Sequence, residues 1–291
     1  MHEGQVETTP QLVRDLLESQ FPDLAGLPIR RVESGTDHDL YRVGDDLVAR
    51  MPIIDWAVDQ AEADERWLPM LAPHLPLPIP ETVAVGRPGA DFPWRWSLVR
   101  WIDGETPDEH NLDPVEAAAE LGRFVVALHR APTAGGPLKS GTSRGAPLAN
   151  LDAHIRRLIV ELDEVDVPAV AKAWDDAAAA PAWDRPPVWI HGDIQPGNLI
   201  VRERGLVGVI DFGGLGLGDP AVDLAPAWNL FDDEARDVFR QVVGYDEATW
   251  TRGQGWVLAP ALQGLGYYRE TKPDFAEACR LRIAAVLADR A

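Results

Sequence analysis

Three polar residues stand at the ends of short apolar runs in the second half of the chain. Asp193 and Asn198 lie in V-W-I-H-G-D-I-Q-P-G-N-L-I-V, residues 188 to 201. Asp211 lies in V-G-V-I-D-F-G-G-L-G-L-G-D-P-A-V-D-L-A, residues 207 to 225. The order Asp, then Asn five residues on, then Asp thirteen further on, is that of a phosphoryl-transfer site. Such transfer asks little covalent chemistry of the protein; it needs an attacking hydroxyl held in line and relieved of its proton as the new bond forms. Asp193 suits both tasks, because a carboxylate of ordinary pKa need only accept a hydrogen bond that strengthens in the transition state. Asn198 and Asp211 offer the hard oxygen donors that Mg²⁺ takes, usually one or two protein groups plus nucleotide phosphates.

Three further residues accompany this set. His191 stands two residues before Asp193 and reads as support for the loop through hydrogen bonds, not as a reacting group. Asp219 and Asp223 frame a segment opened by Pro220, so one of them can cap it while the other bonds backbone amides of the catalytic loop; simple capping by both is the plain alternative.

These groups need elements to hold them. Thr9 as N-cap and Pro10 at the first helical position predict a helix with Leu12, Val13, Leu16, Leu17 and Phe21 on one stripe. Ile29 to Glu33, His38 to Val43 and Leu47 to Met51 predict strands, the last two joined by the hairpin signal Gly44-Asp45-Asp46. A helix is expected over Asp55 to Leu71, and two more strands over Thr82 to Val85 and Trp96 to Ile102. From Asp103 onward the patterning is helical: Pro114 to Arg130, then Pro220 to Leu230, Asp233 to Val243, Glu247 to Glu270 and Pro273 to Asp289. Between them Ala131 to Asn150 is a Gly/Pro-rich connection too long for a plain linker, of the kind that carries function. The expected architecture is α+β: a small antiparallel β-rich unit over 1–101, a hinge near residue 100, and a larger helical unit over 102–291.

Composition narrows the partners. The 291 residues carry a formal net charge of -20, which opposes nucleic acid and anionic membranes, since phosphate neutralisation requires clustered Lys and Arg. Thirty Asp and Glu stand against eighteen Lys and Arg in residues 102 to 291, a field that favours a cationic, polyamine-like acceptor; the abundant Trp and Leu favour a greasier one. No run reaches the roughly 18 apolar residues of a membrane span, and the first twenty residues lack a basic start followed by an apolar core, so the expected home is the cytoplasm. Cys279, the single cysteine, excludes an internal disulfide and any cysteine-built metal site. A monomer or weak dimer is expected.

With these residues in view, the chain resembles the aminoglycoside and macrolide phosphotransferase family. Its members carry His-Gly-Asp-x-x-x-x-Asn, Ile-Asp-Phe/Trp-Gly and Gly-Asp-Pro-Ala-x-Asp-Leu-Ala on a protein-kinase-like fold. The resemblance implies transfer of the γ-phosphoryl group of ATP or GTP, with Mg²⁺, to a hydroxyl of a small acceptor such as an aminoglycoside or macrolide. Kinases of amino alcohols or sugar-like metabolites share these catalytic residues, so the motif fixes the reaction and not the acceptor.

The resemblance also assigns the first unit. Ser34 and Thr36, in Ser-Gly-Thr-Asp-His, stand where a turn covers the phosphates. Arg50, in Val-Ala-Arg-Met-Pro, stands where relatives present a lysine to the α- and β-phosphates; arginine keeps the charge and adds a bidentate fork. Its implied partner is Glu65, which shares a helix face with Ala61, Leu68 and Ala72, whereas Glu62 falls with Val58 and Arg66. The Arg100 carbonyl and Ile102 amide are the implied edge contacts for a purine, a main-chain readout that leaves ATP and GTP both open. Gln195, a neutral amide two positions after Asp193, leaves more of the charge compensation to Arg50 and Mg²⁺. Together, Arg50 and Gln195 motivate a rival reading, a silent kinase-like nucleotide-binding module.

Overall fold

The computed structural model describes residues 5–32, 37–108, 110–133, 135–162 and 164–290. By contacts the chain divides into a β-rich unit, Met1–Pro73, Leu77–Gly104 and Val207–Gly213, and a helical unit, His74–Pro76, Glu105–Leu206 and Gly214–Ala291.

In the β-rich unit, α1 (Pro10–Gln20) begins where the Thr9 hydroxyl accepts a hydrogen bond from the Leu12 amide at 3.1 Å, a cap worth about 1 kcal/mol. Five strands follow: β1 (Ile29–Arg31), β2 (His38–Val43), β3 (Leu47–Pro52) and, after α2 (Gln60–Leu71), β4 (Thr82–Gly86) and β5 (Trp96–Arg100). They form one antiparallel sheet in the order β1-β2-β3-β5-β4. Register decides which side chains share a face, because successive residues alternate across a strand. Leu40 lies opposite Arg50 and Arg50 opposite Ser97, so His38, Leu40 and Arg50 belong to one face. The other face, with Tyr41, Val43, Leu47, Ala49, Met51 and Leu98, is closed by Val13, Leu16 and Leu17 of α1 into an apolar core. Each such fully buried aliphatic side chain contributes roughly 1.5–3 kcal/mol relative to exposure.

The helical unit is built on α3 (Pro114–Arg130), α4 (Asp152–Glu161) and α5 (Val167–Ala179). Strand β6 (Val188–Ile190) precedes the loop that carries Asp193 and β7 (Leu199–Arg202) follows it. The chain enters the β-rich unit within β8 (Gly205–Val209) and returns before β9 (Gly216–Gly218), which pairs antiparallel with β6. A short helix α6 (Pro226–Asn229) then leads to α7 (Asp233–Val243), α8 (Glu247–Tyr268) and α9 (Pro273–Ala288). Packing joins α3 to α7 and α8 to α9. Gly122 marks the α3–α7 contact: a Cβ there would lie 2.8 Å from Val242, so the helices approach closely only because the side chain is absent. Among the described residues no helix is long and apolar enough to cross a membrane.

Besides elements not foreseen in the sequence, three expected features come out differently. Helix α2 starts at Gln60, with only a 3₁₀ turn over Asp55–Ala57 before it. Pro220–Leu224 is a 3₁₀ helix followed by a separate α6. Val207–Gly213, which carries Asp211, groups with the β-rich unit and not with the residues after 102, because Val209 donates to the Pro78 carbonyl at 3.0 Å.

Candidate active site

In the β-rich unit, strand β3 delivers Arg50 to two carboxylates. Its Nη1 donates to Asp64 Oδ2 at 3.0 Å, and its Nη2 lies 3.4 Å from Asp211 Oδ1. The Arg50 side chain is 12% exposed and that of Asp64 2%, while that of Asp211 is 49% exposed. Gln60 Nε2 donates to Asp64 Oδ1 at 2.6 Å, so both oxygens of Asp64 are engaged and the arginine is held from behind. Asp211 adopts a left-handed backbone, φ 62°, sparsely populated for a residue with a side chain. Phe212 beside it is buried. His38 stands on the same sheet face as Arg50. Burial, and then the Arg50 charge, push its pKa down to about 3, with Asp211 opposing, so it is neutral in ordinary buffers.

The partner of Arg50 is thus Asp64, not Glu65. The buried stripe of α2 is Ala61, Asp64, Trp67, Leu68 and Leu71, one residue out of phase with the face expected for Glu65, which is exposed. Glu62 turns outward to Arg95 at 2.7 Å. An aspartate reaches because arginine is longer than lysine and meets the shorter acid part-way. The Arg100 side chain is exposed and ion-paired to Glu81 at 3.2 Å, and its amide donates to the Glu81 carbonyl. Ile102 lies two residues past β5, against Gly208. Ser34 and Thr36 lie outside the described residues.

In the helical unit, the loop between β6 and β7 is fixed by Asp223. This carboxylate is fully buried and accepts from the amides of His191 at 2.8 Å and Gly192 at 2.7 Å. His129 Nε2 lies 3.1 Å from the same group, and His129 Nδ1 is 2.7 Å from the Tyr245 hydroxyl, whose pKa burial pushes up. Gly192 takes φ 78°, and a Cβ there would meet the Gly214 carbonyl oxygen at 2.9 Å, so the bend beside Asp193 requires glycine. The Asp193 amide donates to His191 Nδ1 at 3.2 Å. Asn198 spends its amide nitrogen on Asp193, 2.8 Å to the carbonyl and 3.4 Å to Oδ2. Asp219 caps the Pro220 turn through the Ala221 amide at 3.0 Å and pairs with the buried Arg252 at 2.6 Å. The two aspartates therefore divide the work, Asp219 capping and Asp223 holding the loop.

Four residues at these centres escaped the sequence reading. Asp64 was legible only through the phase of its helix. His129 sits in the last turn of α3, where nothing local announces a partner 94 positions away. Arg252 lies within the apolar run of α8. Arg144, from the Gly/Pro-rich connection, pairs with Asp193 Oδ1 and donates to the Gly192 carbonyl at 3.1 Å; the length and composition of that loop point to function without singling out the residue.

Comparison with known proteins agrees with this layout. The model of the phosphotransferase enzyme family matches residues 28–256. An aminoglycoside 3'-phosphotransferase of Escherichia coli is 28% identical over 146 residues, 47% of this chain and 53% of the relative, so the chain spans about half the length of the curated relatives it matches. A solved GDP and kanamycin complex of an aminoglycoside 2''-phosphotransferase superposes with a TM-score of 0.74 at 19% identity, covering 94% of this chain and 97% of that one. The macrolide 2'-phosphotransferase MphH from Brachybacterium faecium gives 0.66 at 21% identity, covering 94% and 97%. These structures establish a kinase-like α+β fold. By the span of the family match, the chain belongs to the phosphotransferase enzyme family.

Proposed function

We propose that this chain is a small-molecule kinase that transfers the γ-phosphoryl group of ATP or GTP to a hydroxyl of a small acceptor. The observation that carries the reading is Asp193. It is presented on a loop whose backbone is pinned by buried Asp223 and whose rear is braced by Asn198, with the carboxylate still partly open to solvent. A base must be fixed in direction yet reachable, and this one is both.

Asp193 accepts the acceptor hydroxyl's proton as its oxygen attacks. Arg50, steadied by Asp64, offers its fork to the nucleotide phosphates. Asn198 in the helical unit and Asp211 in the β-rich unit each carry a hard oxygen of the kind that would hold Mg²⁺, and the ion would supply charge neutralisation for the phosphoryl oxygens. Relatives of this fold are described as phosphotransferases of aminoglycosides and macrolides, with kanamycin, GDP or ADP in their complexes; a hydroxylated small molecule and a purine nucleotide are the corresponding ligands here.

The test is phosphoryl transfer from γ-labelled ATP and GTP to a panel of hydroxylated antibiotics, amino alcohols and hydroxy acids. Asp193→Asn is expected to lower kcat by at least roughly 10²-fold while nucleotide affinity stays near wild type. Wild-type turnover in that variant overturns the assignment. Mg²⁺-dependent nucleotide binding with no transfer to any acceptor points instead to a silent binding module.

A further inference from the structure

Asp223 fixes the backbone of the loop that carries Asp193, but not the direction of the Asp193 side chain. It accepts from the amides of His191 and Gly192. Beyond them the Asp193 carboxylate still turns about its own side-chain bonds, and the outer of these has only a broad, roughly two-fold preference. What holds that carboxylate differs between its two oxygens. The contacts to Oδ2 are long, 3.3 Å from Gln195 Nε2 and 3.4 Å from Asn198 Nδ2, past the usual range of an N–H···O bond. Oδ1 receives Arg144 Nη1, which also donates to the Gly192 carbonyl at 3.1 Å. A hydrogen bond between two charged groups is roughly twice as strong as a neutral one, so Arg144 outweighs both amides in setting the plane of the carboxylate.

Arg144 is itself carried on a firm support, as a residue that orients another must be. Next to it, Gly145 takes φ 82°, and a Cβ there would lie 2.1 Å from Ile190 Cδ1, so the loop lies against the end of β6 only because that side chain is absent. The Gly145 carbonyl accepts from the Asp219 amide at 2.9 Å, and the Ala146 amide donates to the Ser143 carbonyl at 3.0 Å. Ala146 is buried. The connection over 131–150 thus contains a tight, anchored turn whose arginine stands on Asp193. The Arg144 and Asp193 side chains are 43% and 29% exposed, and an ion pair this open adds little to stability. Its effect falls on direction.

We infer that Arg144 is a positioning residue: by holding Oδ1 it sets the plane of the Asp193 carboxylate and leaves Oδ2 as the oxygen that takes the acceptor's proton. The inference rests on the kinase reading above. As the acceptor oxygen bonds the γ-phosphorus, its proton passes to Oδ2 and the electron pair of the breaking P–O bond leaves with the nucleoside diphosphate. Arg144 stays protonated and paired throughout, which keeps the proton off Oδ1.

Arg144→Ala and Arg144→Gln are expected to fold, with unchanged circular dichroism, and to lower kcat at least roughly tenfold while the KM values for nucleotide and acceptor stay within about twofold. Arg144→Lys, which keeps the charge, should lose less. Guanidinium ion, added far below the concentrations that unfold proteins, should restore kcat at least roughly fivefold in Arg144→Ala and not at all in Asp193→Asn. In the Asp193→Asn background, Arg144→Ala should cost nothing further, because Arg144 acts through the base; a merely structural loop residue lowers turnover in both backgrounds. A crystal structure of Arg144→Ala should show the Asp193 carboxylate in more than one orientation with the Gly192 backbone unmoved. Rescue and crystal carry the test if the residual turnover of Asp193→Asn is too low to measure. Wild-type kcat in Arg144→Gln, a faster Arg144→Ala, an additive loss in the double variant, no rescue by guanidinium, or a single wild-type orientation of the carboxylate in the crystal overturns the proposal. A wild-type protein that transfers to no acceptor overturns the kinase reading instead, and the crystal structure of Arg144→Ala then still decides what holds Asp193.

Discussion

The two halves of the chemistry are held in opposite ways. Asp223 in the helical unit is fully buried, and two amides and a histidine occupy its oxygens. Asp211 in the β-rich unit is half exposed, touches Arg50 only at 3.4 Å and sits on a left-handed backbone. A carboxylate sealed among donors fixes geometry, because moving it leaves buried polar groups unpaired. A carboxylate left open keeps its lone pairs for a ligand. On the proposed function the first serves the fold and the second the reaction, and mutation should separate them.

The largest effect is expected at Asp223. Asp223→Ala leaves the His191 and Gly192 amides and His129 without their acceptor; at about 1–3 kcal/mol for each unsatisfied buried group, chemical denaturation should show a loss of at least about 3 kcal/mol, with kcat collapsing alongside. A stable but inactive Asp223→Ala would erase the contrast. Asp211→Ala should do the reverse: Mg²⁺-dependent nucleotide binding disappears in titration while the denaturation midpoint moves far less than in Asp223→Ala. An unchanged metal dependence would remove Asp211 from the metal.

Next in size is the comparison of neighbours on α2. Asp64→Ala strands the nearly buried Arg50 guanidinium and should raise nucleotide KM roughly tenfold, whereas Glu65→Ala should leave it unchanged. A KM rise in the Glu65 variant alone would restore the glutamate pairing.

The smallest effect is a pH dependence at His38. Its pKa is about 3 folded against 6.5 ordinarily, so between these values the unfolded chain binds the extra proton. The stability tied to the neutral ring is fully present above about pH 6.5 and is lost as pH falls toward 3. His38→Asn should flatten the fall in melting temperature between pH 6.5 and 4.5; an identical slope in the variant would place the acid sensitivity elsewhere.

Much of this was written locally. Thr9 and Pro10 start α1, and the apolar face of Pro114–Arg130 gives α3 its bounds. The hairpin of β2 and β3 follows from Gly44-Asp45-Asp46. What local pattern missed depends on distant partners. Helices α4 and α5 went unread because α5 is alanine-rich and the acidic stretch before it looks like a linker; their buried faces are defined by α8. Strand β9 is Gly-Leu-Gly, poor in strand formers, and exists because β6 pairs with it. The residues proposed for catalysis stand out in the sequence because chemistry restricts their types and spacing. Asp64 and Arg144 were not, since an ion pair constrains only where two side chains end.

The left-handed backbone at Asp211 has an evolutionary consequence. A single-step change to glycine would relieve the conformational cost borne by a residue with a Cβ, of order 1–3 kcal/mol, and so make the fold sturdier. It would also delete the carboxylate. On the proposed function, drift at this position would run downhill in free energy toward a stabler, inert descendant, and selection for turnover would be what opposes that step.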